Sequence, residues 1–232
     1  MSHTLRKDVA IIGGGLVGSS AALALQRMGL SVVLLDKGFC GAQASGVNYG
    51  GVRRQGRPPE QIALSQRAHT IWPRLKELIG IDGEFMRSGH LKLARTEAEM
   101  ASLEAYAARV VNLGLDLEII GHNRLRERFP WIAEDIAGAS LCPGDGHANP
   151  RLVSAAFANA ARRAGAEVLE HTPVSHVEKA LDGFHLAAGS GIQIRARFVI
   201  NSAGAWAGSF AETFGERVPL KKIYPSMIVT EP

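Results

Sequence analysis

The chain has 232 residues, enough for one large domain or two smaller ones with a buried core. Its 26 lysines and arginines exceed its 22 acidic residues by only four, without a long basic run, which argues against a nucleic-acid-binding protein. Its only cysteines, Cys40 and Cys142, are too few for a disulfide framework and favour a protein of the reducing cytoplasm.

The N-terminal segment has the pattern of a strand, a glycine turn and a helix. Residues 9–12 are apolar and lead directly into Gly13, Gly15 and Gly18, which match G-x-G-x-x-G. In such a turn the first glycine allows the bend and the second lets the backbone approach a pyrophosphate. The third lets the helix pack closely on the strand. The sequence therefore predicts a dinucleotide site.

The residues after this helix support the same prediction. Gly29 is expected to end the helix, residues 31–35 to form a second strand, and Asp36 to bind the ribose of an adenosine. An acid at this position argues against NADP, whose extra phosphate it would repel, but does not separate NAD from FAD. The uncharged run over residues 9–25 resembles a signal peptide or a short membrane span, and its glycines argue against both.

A long loop and a broken helix are predicted next. Residues 37–53 are rich in glycine and small side chains, show no helical or strand period and carry little charge. They are interpreted as a second loop that wraps the cofactor. Residues 59–79 have helical spacing, and Pro73 is expected to kink or break that helix near Trp72.

The pattern then departs from alternating strands and helices, which predicts a separate domain. Residues 85–94 favour a hairpin or a bulged strand. Thr96 and Glu99 form the capping-box pattern of a helix start. A shorter helix is expected over residues 124–129 and is stopped by Pro130.

The last third returns to the nucleotide-domain pattern. A strand is predicted at residues 138–142, and a helix begins at Asn149 and Pro150 and ends at Gly165. Five further strands are predicted, at residues 167–171, 174–178, 184–187, 192–195 and 197–201. The three strands over residues 174–195 are expected to form a β-meander, and the strand at residues 197–201 is expected to be buried.

A discontinuous arrangement of domains follows from this return. The nucleotide-binding domain is expected to comprise residues 1–82 and 146–218. Residues 83–145 form the first part of a second domain, and residues 219–232 begin a further segment of it.

The order of these motifs resembles the family of FAD-dependent amino-acid and amine oxidoreductases that includes glycine oxidase, D-amino-acid oxidase and sarcosine oxidase. The resemblance covers almost the whole chain and is of the glycine-oxidase type. The blocks that carry it are Gly13-x-Gly15-x-x-Gly18 with Asp36, residues 44–51, 88–93, 145–150, 165–168 with 171–174, and 203–206.

The resemblance implies an α/β fold and the cofactor FAD. A Rossmann-like FAD-binding domain, with a parallel sheet and a β-meander, is joined to part of an α+β substrate domain with an antiparallel sheet. The residues implied to bind FAD are Gly13, Gly15, Leu16, Val17 and Gly18 at the pyrophosphate, Asp36 and Lys37 at the adenosine ribose, Ala44 and Ser45 at the phosphates, Tyr49, Gly50 and Gly51 along the ribityl chain and flavin, Val174 at the adenine, and Ala203 and Gly204 close to the cofactor.

The implied activity is that of an FAD-dependent amino-acid or amine oxidase or dehydrogenase. Its substrate is a small amino acid or secondary amine of the glycine, sarcosine, D-amino-acid or D-hydroxyproline type. A hydride passes from the carbon bearing the neutral amine to flavin N5, and the imine is hydrolysed. Oxygen or a quinone takes the electrons. Arg53, with Arg54 as the alternative, is the candidate for binding the substrate carboxylate. No histidine pair has metal-ligand spacing, so no metal site is expected.

Two other hypotheses stay open at this stage. Members of the family extend well beyond the position of Pro232, so the chain is expected to be a truncated or split product. It is then either part of the enzyme or a non-catalytic nucleotide-binding module that needs a partner subunit. An NAD-dependent dehydrogenase is disfavoured by the loop over residues 41–51, which that class does not need. No membrane association is indicated.

Overall fold

The computed structural model describes residues 4–221 and residue 223. The helices are α1 (Leu16–Arg27), α2 (Ile62–Ile71), α3 (Leu75–Ile79), α4 (Glu97–Val110), α5 (His122–Arg128), α6 (Pro150–Arg163) and α7 (Ala207–Glu212). The strands are β1 (Thr4–Ile12), β2 (Val32–Leu35), β3 (Gly51–Val52), β4 (His90–Ala94), β5 (Glu118–Gly121), β6 (Gly138–Cys142), β7 (Gly146–His147), β8 (Glu167–Leu169), β9 (Val174–Ala180), β10 (Gly183–Ala188) and β11 (Ile192–Asn201). The chain divides into a first unit (Met1–Tyr49, Lys76–Gly83 and Pro150–Pro232) and a second unit (Gly50–Leu75 and Glu84–Asn149).

A mixed sheet with the strand order β8-β2-β1-β11-β10-β9 forms the centre of the first unit. The strands β8, β2, β1 and β11 are parallel, with Val9 opposite Val32 on one side and Phe198 on the other. The strands β9, β10 and β11 form an antiparallel meander. The carboxyl ends of β1, β2, β8 and β11 therefore meet at one edge, where ligands of open parallel sheets bind.

The parallel strands are buried on both faces. All four residues of β2 and the last four of β1 are buried, the pattern expected when helices cover both sides of a sheet. The helices α1 and α6 pack against each other. Their small buried residues, such as Ala22 and Ala160, permit that close packing.

Three strand predictions in this unit were wrong. Residues 192–201 form one strand rather than two, because β11 continues without a break from its pairing with β10 to its pairing with β1. The last part of this strand, residues 197–201, was predicted to be buried, but none of these residues is buried and Phe198 is 55% exposed. The strand predicted to reach residue 171 ends at Leu169, and His171 has a positive φ of 51°.

The second unit has the antiparallel sheet β4-β6-β5 and the two-stranded sheet β3-β7. Ile120 and Leu141 of the three-stranded sheet belong to a buried apolar group that also includes Leu125 of α5. The helix α4 begins after Thr96, whose Oγ1 accepts a hydrogen bond from Glu99 N at 3.2 Å. Within the described residues, no helix is both long and apolar enough to cross a membrane.

The predicted α/β class, with a parallel sheet, a β-meander and an antiparallel sheet, is confirmed. The domain boundaries at residues 82, 145 and 218 stay predictions. The contacts place residues 50–75 with residues 84–149, because β3 pairs with β7 and Arg54 pairs with Asp145. Most of the predicted segment 219–232 lies outside the described residues.

Candidate functional site

The glycine turn after β1 is packed too tightly for side chains at two positions. Gly13 has a φ of 106°, and its N–H donates to Leu35 O at 2.8 Å. A Cβ on Gly18 would collide with Gly13 O, and a Cβ on Gly13 would collide with the carbonyl group of Ser202. Ser202 Oγ lies 2.9 and 2.8 Å from the carbonyl oxygens of Ile12 and Gly13. The end of β11 thus holds the turn in place.

The N-terminus of α1 presents backbone donors beside this turn. Its first intrahelical hydrogen bond runs from Ser19 N to Gly15 O at 2.9 Å, so the preceding amides have no acceptor within the helix. Leu16 N donates to Ser45 Oγ at 2.9 Å, and the amide of Val17 follows in the same turn. No acidic side chain occupies this first turn. The helix dipole and these donors suit a phosphate anion.

Asp36 lies at the end of β2 and orders the same turn. Its Oδ2 accepts a hydrogen bond from Gly14 N at 2.7 Å, and its Oδ1 accepts one from Gly38 N at 2.8 Å. The side chain is half-buried. Since each oxygen of a carboxylate has about two acceptor positions, both oxygens can still accept a hydroxyl group. This geometry suits the vicinal hydroxyls of a ribose.

The segment after β11 contains Ala203 and Gly204, two residues that the sequence selects for cofactor binding, and Trp206. Ala203 N donates to Asn201 Oδ1 at 3.3 Å, and Gly204 begins a 3₁₀ turn with a φ of 54°. Trp206 ends that turn, and Lys37 Nζ lies 3.1 Å from the centre of its ring. The structure therefore places the Lys37 ammonium over an indole, and its contact with a ribose stays a prediction.

The loop after β2 is attached to α6. Ser45 O accepts a hydrogen bond from Ser154 Oγ at 2.8 Å, and Ala44 O accepts one from Asn48 Nδ2 at 3.0 Å. Because Ser45 Oγ also accepts a hydrogen bond from the start of α1, this one loop residue connects α1 with α6. Tyr49, at the end of this segment, is 72% exposed.

A further cluster lies where the loop after β2 meets the residues that follow β8. Cys40 N donates to Glu170 Oε1 at 2.8 Å. Burial, together with the nearby negative charge of Glu170, raises the pKa of the Cys40 thiol to about 12. The rings of Phe39 and His171 lie 4.3 Å apart, centre to centre, at an angle of 82°. Val174 begins β9 three residues later and is half-buried.

In the second unit, Gly50 and Gly51 lie where the chain enters β3. Gly50 has a φ of 70°, and its carbonyl oxygen accepts a hydrogen bond from Ala148 N at 2.9 Å. Gly51 is opposite His147 in the β3-β7 pair, and a Cβ on Gly51 would meet no atom within 4 Å. This pairing fixes the start of the loop that carries the two candidate arginines.

Those two arginines have different surroundings. Arg53 Nη1 donates to Gln55 O at 2.7 Å within its own loop. Arg54 Nε donates to the fully buried Asp145 at 3.0 Å, and Arg54 Nη1 donates to Gln66 Oε1 at 2.8 Å. Burial opposes the ionisation of Asp145, but the amides of Gln55 and Arg54 and the Arg54 guanidinium together hold its pKa below the usual value. Arg54 is thus engaged in a buried ion pair, whereas Arg53, among the described residues, donates a hydrogen bond to its own loop.

Buried polar side chains extend from this pair. Gln55 Nε2 donates to His90 O at 2.7 Å, and Ser140 Oγ donates to Gln55 Oε1 at 2.5 Å. His69 Nε2 is buried 3.6 Å from Asp145 Oδ1, without a hydrogen-bond partner among the described residues. Burial lowers the pKa of both histidines. Sequence reasoning did not predict this network, because its members are far apart in the chain and no regular spacing links them.

Within the first unit, the structure brings several sequence-selected residues together around the turn: Gly13, Gly15, Leu16, Gly18, Asp36, Ser45 and Ala203. The glycines leave the backbone uncovered, the start of α1 supplies donors, and Asp36 supplies acceptors. These groups fit the pyrophosphate and the ribose of FAD. Their individual roles stay predictions.

A protein-family model described as "FAD dependent oxidoreductase" matches residues 8–232. Glycine oxidase of Geobacillus kaustophilus is 32% identical over 97% of this chain and 60% of that protein. One of the opine oxidase subunits of Rhizobium meliloti is 29% identical over 97% of this chain and 63% of that protein. The solved structure of the Geobacillus kaustophilus glycine oxidase superposes with a TM-score of 0.83 at 30% identity, over 91% of this chain and 59% of that one. The chain thus spans about 60% of the length of these relatives.

Proposed function

This chain belongs to the DAO family of FAD-dependent oxidoreductases, and on that basis we propose that the whole protein oxidises the C–N bond of a small amino acid or secondary amine. The proposed substrates are of the glycine, sarcosine, D-amino-acid or D-hydroxyproline type. The observation that carries the proposal is the glycine turn, where the donors at the start of α1 lie beside the Asp36 carboxylate. The similarity to a protein named glycine oxidase supports an amino-acid substrate.

The chain's own residues bind and orient the reactants in this proposal. The amide of Val17 and the positive end of the α1 dipole hold the pyrophosphate, and the Leu16 amide joins them by exchanging Ser45 Oγ for a phosphate oxygen. Asp36 holds the ribose. Bound FAD supplies the hydride acceptor for the carbon that bears the amine. Arg53 binds the substrate carboxylate, since its contact with Gln55 O uses one of its five N–H donors and the others can form a bidentate pair.

A second candidate is a non-catalytic FAD-binding module that needs a partner chain. It is favoured by the similarity to a protein named as one subunit of an opine oxidase, of which this chain spans 63%. For the oxidoreductase, the proposed electron acceptor is oxygen or a quinone. The unpaired, buried thiols of Cys40 and Cys142 support a reducing cytoplasm as the location.

A titration of the purified chain with FAD tests the proposal. Flavin fluorescence gives the affinity, and anaerobic addition of glycine, sarcosine or D-proline should then bleach the flavin absorbance. The variant Gly15→Ala adds a Cβ 3.0 Å from Ser45 Oγ, where the backbone must approach a phosphate. It should weaken FAD binding by about tenfold, the effect of one charge-assisted hydrogen bond. In the matched control Gly121→Ala the new Cβ meets no atom within 4 Å, and the affinity should not change.

The outcomes separate the two candidates. Bleaching by an amine supports the oxidoreductase. The non-catalytic module is supported if FAD binds tightly but no amine bleaches it. This result must hold for the chain alone and for the chain mixed with a candidate partner subunit. Absence of FAD binding, or equal effects of Gly15→Ala and Gly121→Ala, contradicts the assignment of the turn as a cofactor site.

A further inference from the structure

We propose that Phe39 and His171 form an aromatic wall on which the adenine ring of FAD stacks, an inference that rests on the proposed function. Their rings meet edge to face, with centres 4.3 Å apart. Phe39 lies four residues after the end of the buried strand β2, and its side chain is 62% exposed. An edge-to-face pair leaves a ring face uncovered, and a flat heteroaromatic base is the chemistry that matches such a face.

The position of the wall follows from the order of the strands. The strands β1, β2 and β8 are consecutive neighbours, about 4.8 Å apart in a sheet. The phosphate donors lie at the end of β1, and Asp36 lies at the end of β2. In FAD, the adenine lies beyond the ribose as seen from the pyrophosphate. The same direction leads to the end of β8, where His171 follows two residues after Leu169.

The wall is fixed to the ribose-binding carboxylate by backbone contacts. Thr172 N donates to Asp36 O at 2.7 Å, and His171 N donates to Gly38 O at 3.0 Å. Cys40 N donates to Glu170 Oε1 at 2.8 Å on the other side of Phe39. Both ring-bearing segments therefore keep a set distance from Asp36, as a preformed site requires.

The backbone of His171 gives an independent reason to assign a function. Its φ of 51° is in the left-handed region, where, among the described residues, only one other non-glycine residue lies, Glu84. An L side chain in this conformation is strained, and glycine would remove the strain. Retaining the ring at a strained, exposed position is typical of a binding site.

Two variants and a distant control test the wall. Phe39→Ala should weaken binding of FAD and of ADP by about tenfold, because the base loses an aromatic stacking partner. Competition by inorganic pyrophosphate, which has no base, should be unchanged. His171→Gly should weaken ADP binding while the melting temperature stays the same or rises. Phe198→Ala removes a similarly exposed ring from β11 and should leave both affinities unchanged.

Other results would overturn the inference. Unchanged FAD and ADP affinity in Phe39→Ala refutes the wall and leaves the FAD assignment intact. An equal loss for ADP and pyrophosphate shows general damage to the site rather than lost stacking. A lower melting temperature of His171→Gly with unchanged ADP affinity assigns His171 a structural role. A wild-type chain that binds neither FAD nor ADP refutes both the wall and the proposed function.

Discussion

Asp145 is expected to stabilise the second unit through a buried ion pair with Arg54. Its side chain is fully buried and accepts hydrogen bonds from Arg54 N at 2.9 Å, Gln55 N at 3.0 Å and Arg54 Nε at 3.0 Å. The substitution Asp145→Asn keeps the shape and removes the charge. It also replaces one carboxylate oxygen by an NH₂ group, which cannot accept a hydrogen bond. At least one of the three N–H donors on Asp145 therefore loses its acceptor.

Two independent routes give the expected magnitude. Removal of one member of a buried ion pair costs about 3–5 kcal/mol, and the low end applies because the Arg54 side chain is 17% exposed and water solvates part of it. Loss of one charged hydrogen bond costs about 1.5–3 kcal/mol. We therefore expect the free energy of unfolding of the second unit to fall by about 3 kcal/mol.

Tryptophan fluorescence during urea unfolding measures this change in the second unit alone. The chain has three tryptophans, of which Trp72 and Trp131 lie in the second unit. In a Trp206→Phe background the signal reports only on that unit. Glu134→Gln is the control, because it breaks an exposed ion pair and should change stability by less than about 0.5 kcal/mol. An equally small effect of Asp145→Asn would refute the assignment of Asp145 as a buried anchor.

The same pair has a pH dependence with a defined sign. The pKa of Asp145 in the folded chain lies below the ordinary value of 3.8. Its contribution to stability is therefore complete above about pH 4 and is lost as the pH falls through the folded pKa. In the same background, the wild type should lose stability on acidification in a step that Asp145→Asn lacks. Parallel curves for the two proteins would contradict this reasoning.

Three further predictions concern other positions. Thr96→Ala should lower the free energy of unfolding by about 1 kcal/mol, since Thr96 Oγ1 caps α4; a urea midpoint equal to that of the wild type would contradict the cap. Burial raises the pKa values of Cys40 and Cys142 to about 12 and about 11, so neither thiol should react with a disulfide reagent at pH 8 until the chain unfolds. Hydrogen bonds from Ser31 lower the pKa of Asp8 from 3.8 to about 2, so the stability that Asp8 provides should be lost between these pH values. Circular dichroism during acid titration should show this loss of stability in the wild type and not in Asp8→Asn.

Much of the fold could be predicted because its signals are local. The apolar run before Gly13, the break at Pro73 and the cap at Thr96 each depend on residues within one or two turns. The structure places β1, the 3₁₀ turn Trp72–Arg74 and α4 accordingly. The capping box differs in one contact, since Glu99 Oε2 accepts from Arg95 N rather than from Thr96 N.

The sequence by itself determined the glycine turn and the acid at the end of β2, because both are required by steric and hydrogen-bonding rules that act along a short segment. Only the tertiary structure decided which distant side chains meet. Arg54 pairs with Asp145, 91 residues away, Lys37 lies over Trp206, and Phe39 meets His171. These contacts depend on the order of the strands in each sheet. That order is set by packing of whole elements and leaves no periodic trace at the residues concerned.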